Sequence, residues 1–190
     1  MLRWQKTCLS LQGLGYTIVL LQSLVWLLLV YALIIGGGNV LVDGCKKIGF
    51  YNYCFHNTTN DDDCHCITHF SDLNSKITSH GLTLSLILTY SSLVIVVMGL
   101  VNLALAQWLK DDTLWNFQLG LNILSLVGLF LGTISHLFLT LDQFDLSRVT
   151  LGFLALQLAV GGLFLQICLI RIYIRLNSVL STSKTGGHAA

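Results

Sequence analysis

The residues of this chain best suited to chemistry lie between Cys45 and His69. Cys45, Cys54, Cys64 and Cys66 are four of its six cysteines, and His56, His65 and His69 stand among them. Thiolates and imidazoles at short range are zinc ligands, but structural zinc sites space paired cysteines by two to four residues, and a single residue separates Cys64 from Cys66. On an oxidising side of a membrane the same thiols form disulfides instead. We assign this set to disulfide chemistry, with no metal and no cofactor. Asp61-Asp62-Asp63 lacks the alternating ligands and the glycine of a calcium-binding loop and reads as a solvated turn.

The flanking residues say how the cysteines are held. "IGFYNYCF", Ile48 to Phe55, is aromatic and favours extended structure, "CHCITHF", Cys64 to Phe70, is a second extended candidate, and "HNTTNDDD" between them consists of turn formers. The pattern is a hairpin. A Cys54–Cys64 bridge would close its tip, contributing about 2–4 kcal/mol. Cys64 and Cys66 alternate along one strand and share a face, which leaves Cys66 to seek Cys45. Four cysteines allow three pairings, and the sequence does not choose among them. Asn57-Thr58-Thr59, the only Asn-x-Ser/Thr match in the chain, makes Asn57 the glycosylation candidate.

The elements that carry this hairpin are apolar. The chain is 54% hydrophobic and 10% charged, with mean hydropathy +0.75, whereas soluble domains carry about 25% charged residues. Four windows contain no Asp, Glu, Lys or Arg: Thr7 to Val42, Gly81 to Leu109, Thr113 to Leu141 and Val149 to Ile170. About 20 apolar residues cross a bilayer core, so each window supplies one transmembrane helix. Centred on hydropathy, the helices fall at 16–35, 82–104, 119–141 and 149–170, joined by outer loops 39–80 and 142–148 and followed by a tail, 171–190. Together they form one membrane domain, 1–190. Arg3 and Lys6 precede the first helix as they would a signal peptide, but its apolar run is too long for one, and it is expected to be retained.

Both termini are expected in the cytoplasm. That arrangement puts Arg3, Lys6, Lys110, Arg171, Arg175 and Lys184 inside and Lys46, Lys47, Lys76 and Arg148 outside, the direction of the positive-inside bias. It also puts the clustered cysteines and Asn57 on the oxidising, glycosylating side. The specific membrane, plasma or internal, stays open.

Inside the bilayer there is little to react. No charged residue lies in the four windows, and His136 is the only imidazole in their cores. It is expected to hydrogen-bond to a neighbouring helix beside Thr133 and Ser135. No hydrolase elbow, metalloprotease helix or phosphate loop is present. Gly128 and Gly132 are spaced for close helix packing, and Asn102, Gln107, Gln118, Asn122, Gln157 and Gln166 are candidate interhelical hydrogen-bonding groups. Cys8 and Cys168, near the inner interface, are candidate acylation sites. A net charge of +1 gives no basic face for nucleic acid.

At this point a family resemblance is specific. Four helices, a large first outer loop and Gly49-Phe50-Tyr51, two residues, Cys54, then nine residues and Cys64 are similar to the claudin and peripheral myelin protein superfamily. "IGFYNYC" followed by an acidic, glycosylatable turn most resembles the transmembrane protein 140 family. The resemblance implies an all-α membrane protein with a small β cap: a left-handed four-helix bundle with a disulfide-stapled antiparallel sheet in the first outer loop. Its spacing also points to the Cys54–Cys64 pair, and with no catalytic motif or embedded charge the chain is expected to be non-catalytic, with membrane lipids and other membrane proteins as partners. The alternative is a channel-forming or transport protein. The brevity of 142–148 favours lateral association over adhesion between cells.

Epitope tags at either terminus should therefore be detected only after permeabilisation, and endoglycosidase should increase the gel mobility of the native chain but not of Asn57→Gln. A tag exposed on intact cells would contradict the orientation, and unchanged mobility, or a shift that survives the substitution, would reject Asn57 as the glycan site.

Overall fold

The computed structural model describes residues 2–43, 46–50, 53–56, 64–67, 76–140 and 149–185. Four long helices carry the chain: α1, Leu2–Val30, prolonged by a π-helical turn, Tyr31–Ile35; α2, Lys76–Leu109; α3, Asp112–Thr140; and α4, Leu151–Thr185. Their apolar portions, Leu11–Ile35, His80–Leu109, Asp112–Thr140 and Leu151–Val179, are each long enough to cross a bilayer. This is a multi-pass membrane protein.

The helices outrun the spans read from hydropathy. α1 begins at Leu2 rather than near Tyr16, and the segment 171–190 read as a tail is helical as far as Thr185. Arg171 and Arg175 end the charge-free window without ending the helix, because no proline is present to interrupt the backbone ladder. Arg171 and Arg175 thus share one helical face, four residues apart. Between α2 and α3 the chain reverses at Lys110, whose φ is 52°, and Asp111 Oδ1 accepts the Thr113 N–H at 2.8 Å to cap α3.

Each helix packs against its two neighbours in the ring α1, α2, α3, α4. The side chains are distributed inside out. The buried face of α3 consists of Trp115, Gln118, Asn122, Ser125, Leu129, Gly132, Thr133, His136 and Thr140, while Phe117, Leu124, Phe130, Leu131 and Phe138 of the same helix point outward. Lipid is as apolar as leucine, so burying an apolar side chain between membrane helices gains little. Hydrogen-bonding groups and close backbone approach gain more. Gly128 and Gly132 face α2. A Cβ at Gly132 would lie 2.5 Å from Thr89 Oγ1 and 3.1 Å from the Ser85 carbonyl, and one at Gly128 would lie 2.6 Å from Ser92 Oγ.

A four-stranded antiparallel sheet, in the order β1-β2-β3-β4, sits at one end of the bundle. Its strands are β1, Asn39–Asp43; β2, Lys46–Gly49; β3, Tyr53–His56; and β4, Cys64–Ile67. The run Ile48 to Phe55 is thus not one strand. It breaks after Gly49, where Phe50 leaves the sheet and is buried. β1 is an element that the cysteine-centred hairpin pattern does not include, although Val40-Leu41-Val42 follows Gly36-Gly37-Gly38 as a β-branched run follows a breaker. Gly37 and Gly38 take φ of 61° and 60°, a left-handed reversal that glycine makes without steric cost.

Gly132→Ala should destabilise the bundle by about 1–3 kcal/mol, since its neighbours are backbone and a packed threonine that cannot retreat. Gly120, on α3 with nothing within 4 Å of a built Cβ, should tolerate alanine or gain from it. Thermal unfolding of both variants in one detergent decides. Equal melting temperatures would contradict the packing.

Candidate functional site

The two faces of the sheet have different surroundings. Along the register, Val42 lies opposite Lys47, Lys47 opposite Cys54 and Cys54 opposite Cys66. Directly opposed residues project to the same side. Val42, Lys47 and Cys66 are exposed, whereas Cys54, joined to Cys66, is buried, so the row faces away from the bundle at Val42, Lys47 and Cys66. The neighbouring row begins with Leu41 opposite Ile48, both buried, and faces the helices.

The disulfide joins Cys54 to Cys66, not Cys54 to Cys64, and Cys66 is therefore not the partner of Cys45. The cause is register. The strands pair so that Cys64 lies opposite His56 and Cys66 lies opposite Cys54, with Cα atoms 4.0 Å apart. A hairpin tip closed at Cys64 would require pairing two residues out of step, which moves the ladder along while keeping the faces. With its sulfur in a disulfide, Cys66 has no thiolate to offer a metal. Gly49 pairs with Asn39 at the edge of the β1–β2 ladder. Asn57, Cys45 and Tyr51 lie outside the described residues, as does the loop 142–148.

The sheet is tied to three helices. Phe50 inserts beneath it, 2% exposed, with its ring centroid 4.5 Å from that of His136 on α3. Its N–H donates to the Gly38 carbonyl at 3.1 Å. Val149 bridges to Leu41, and the Thr150 N–H donates to the Val40 carbonyl at 3.1 Å. The Thr150 hydroxyl has two tasks: it accepts the Phe153 N–H at 3.1 Å, capping α4, and donates to the Asn39 carbonyl at 2.5 Å. On the third side, Tyr90 of α2 donates its hydroxyl to the Leu33 carbonyl in the π turn at 2.9 Å. Such a turn leaves carbonyls without helical partners, and Tyr90 supplies one.

Below the sheet runs a polar seam. Ser85 Oγ donates to the Gly132 carbonyl at 2.6 Å, Ser125 Oγ to the Ser92 carbonyl at 3.4 Å, and Asn102 Nδ2 to both the Leu114 carbonyl and Gln118 Oε1 at 3.0 Å. Gln118 Nε2 passes the chain on to Asn122 Oδ1 at 3.1 Å. Gln166 joins α4 to the Ile18 carbonyl of α1, and Gln22, not singled out from the sequence, joins α1 to the Val96 carbonyl of α2. Its signal was available: it is an amide in the middle of an uncharged window. Gln157 departs from expectation, being exposed on α4 rather than placed between helices. His136 departs too. Both of its ring nitrogens, and Thr133 Oγ1 beside it, lack a hydrogen-bond partner among the described residues, and the imidazole packs against Phe50 instead. The Cys168 thiol is free and exposed on α4.

Residues 4–184, nearly the whole chain, match the TM140 protein family.

If Phe50 is the wedge that seats the sheet, Phe50→Ala should cost about 3–5 kcal/mol, and Thr150→Val about 0.5–2 kcal/mol through loss of the cap, while Thr150→Ser stays near the native value. Hydrogen exchange in β1 and β2 should rise with both damaging variants. Unchanged protection of those amides would show that the sheet is held by something else.

Proposed function

We propose that this chain, which belongs to the TM140 protein family and is a multi-pass membrane protein, works by contact rather than turnover. On this reading it associates laterally with other membrane proteins, in the manner of the claudin-like proteins its outer-loop pattern resembles. The sheet is the recognition surface and lies on the extracellular or lumenal side, with both termini cytoplasmic and Asn57 glycosylated. The observation that carries the reading is the row Val42, Lys47, Cys54 and Cys66. Its Val42, Lys47 and Cys66 are exposed and its buried Cys54 staples it through the disulfide to Cys66, while Leu41 and Ile48 of the opposite face are committed to packing. A surface held rigid at both levels loses little entropy when it binds.

The membrane-embedded part of the contact is assigned to the outer face of α4. Gln157 is exposed within the span Leu151–Val179, where an amide facing hydrocarbon is unfavourable and a partner helix can satisfy it. One turn on, Gly161 is exposed, with nothing within 4 Å of a built Cβ, which leaves room for a second backbone to approach. The contact reading is also supported by the seam, whose buried polar side chains among the described residues mostly bond to one another and to backbone carbonyls.

Exchange of residues 48–70 for the corresponding loop of a distant claudin-like protein should change the membrane proteins captured by proximity labelling while four-helix insertion persists. Gln157→Leu should weaken lateral capture without changing its selectivity. An unchanged partner set after the exchange would refute the assignment of recognition to the sheet.

A further inference from the structure

At the end of the bundle opposite the sheet, the helix ring opens into a cleft of about 380 Å³, within the size range of small-ligand sites. Among the described residues its lining holds one ammonium, Lys110, and one carboxylate, Asp112, together with the aromatic rings of Tyr16, Trp115 and Tyr173 and the amide of Asn177. The aromatic wall is organised. Trp115 is 2% exposed and stacks on Tyr173 with ring centroids 4.0 Å apart, and Tyr16, 65% exposed, stands at the mouth. Asn177 Nδ2 donates to Asp112 Oδ1 at 2.5 Å, which fixes the carboxylate against α4.

The depth of the cleft is as informative as its contents. Lys110 follows directly on the apolar span of α2, Asp112 opens that of α3, Tyr16 lies early in that of α1 and Tyr173 late in that of α4. The charged groups therefore lie at the level of lipid headgroups, where tyrosine and tryptophan are at home. A site for an anion alone would not include Asp112, and a site for a cation alone would not include Lys110. Arg171 and Arg175, which would suit acidic lipids, are exposed nearby on α4 but do not line the cleft.

From this composition we infer that the cleft binds a zwitterionic phosphocholine group, with Lys110 on the phosphate and the quaternary ammonium against Tyr173, Tyr16 and Asp112. A lysine ammonium makes charge-assisted hydrogen bonds to phosphate oxygens, and a choline cation is held by aromatic faces. The source of the group is a phospholipid of the surrounding leaflet or soluble phosphocholine; both present the same chemistry.

The test uses the full-length chain in dodecyl maltoside, stripped of lipid, and titrates it with dihexanoyl phosphatidylcholine, dihexanoyl phosphatidylglycerol and free phosphocholine. Phosphatidylcholine should bind at least about tenfold more tightly than phosphatidylglycerol, a difference of about 1.4 kcal/mol. Lys110→Gln and Asp112→Asn, both at exposed positions, should each erode that preference while lipid-free melting stays native; Arg175→Gln should leave it intact. Competition by free phosphocholine identifies the headgroup alone as sufficient. Binding of phosphatidylcholine without such competition identifies the lipid as the ligand, and either result supports the site. Equal or tighter binding of phosphatidylglycerol, which needs no variant to measure, overturns it, as does unaltered preference in both folded variants. The sheet is remote from this cleft, so failure here leaves the contact reading standing.

Discussion

In hydrocarbon, a membrane helix gains little by hiding its leucines and pays heavily for any polar group left without a partner. The seam between α2 and α3 follows from that constraint, and the remaining architecture follows from the seam. Asn102, Gln118 and Asn122 form a connected chain of amides, and Ser85 and Ser125 reach across to backbone carbonyls of the facing helix. Gly128 and Gly132 bring the backbones close enough for those short side chains to reach. Gln22 and Gln166 then fasten α1 to α2 and to α4. Individual interhelical bonds contribute only about 0.6 kcal/mol on average, so it is their number and their agreement in direction that select one arrangement.

The sheet inherits its position from the helix ends. α1 cannot simply stop at the membrane surface, because its last carbonyls need donors. The π turn, the two left-handed glycines and the Tyr90 hydroxyl together supply a controlled exit. That exit delivers β1 alongside the start of α4, where Thr150 caps the helix and holds the strand with one hydroxyl. Phe50 then packs into the apolar cluster of Val25, Leu29, Leu33 and Leu156. A conformational change in the bundle end would therefore be felt by the sheet.

Four crossings were legible in the sequence because a charge-free window of that length belongs in a bilayer and fits poorly into a water-soluble fold. A sheet near the cysteines was legible from its aromatic and β-branched residues. The disulfide partner was not. Alternation places Cys64 and Cys66 on one face but does not say which of them stands opposite Cys54; that is a question of register, set by where the β3–β4 pairing begins. The fate of Phe50 was hidden for a similar reason, since an aromatic residue within an extended run looks like one more strand position until a neighbouring cavity is known. For His136, residue chemistry alone misleads: an imidazole in a bilayer suggests a hydrogen bond, but the group it packs against is the Phe50 ring. Hydropathy also cuts α1 and α4 short, because it measures the solvent and not the backbone.

A polar seam could in principle be a conduction path, and here the interior argues for a fastener. Among the described residues the amides bond to one another and to backbone carbonyls, with Gln22 Oε1, Asn122 Nδ2 and Gln166 Oε1 left without a partner, and the core beside them is filled by Val25, Leu29, Leu129, Leu156 and Leu163. Planar-bilayer recording of the purified full-length protein distinguishes the two directly. A protein that works by contact gives no unitary currents above those of lipid alone. Selective currents altered by Asn102→Leu or Gln118→Leu would mean that the seam conducts and that the contact reading is wrong.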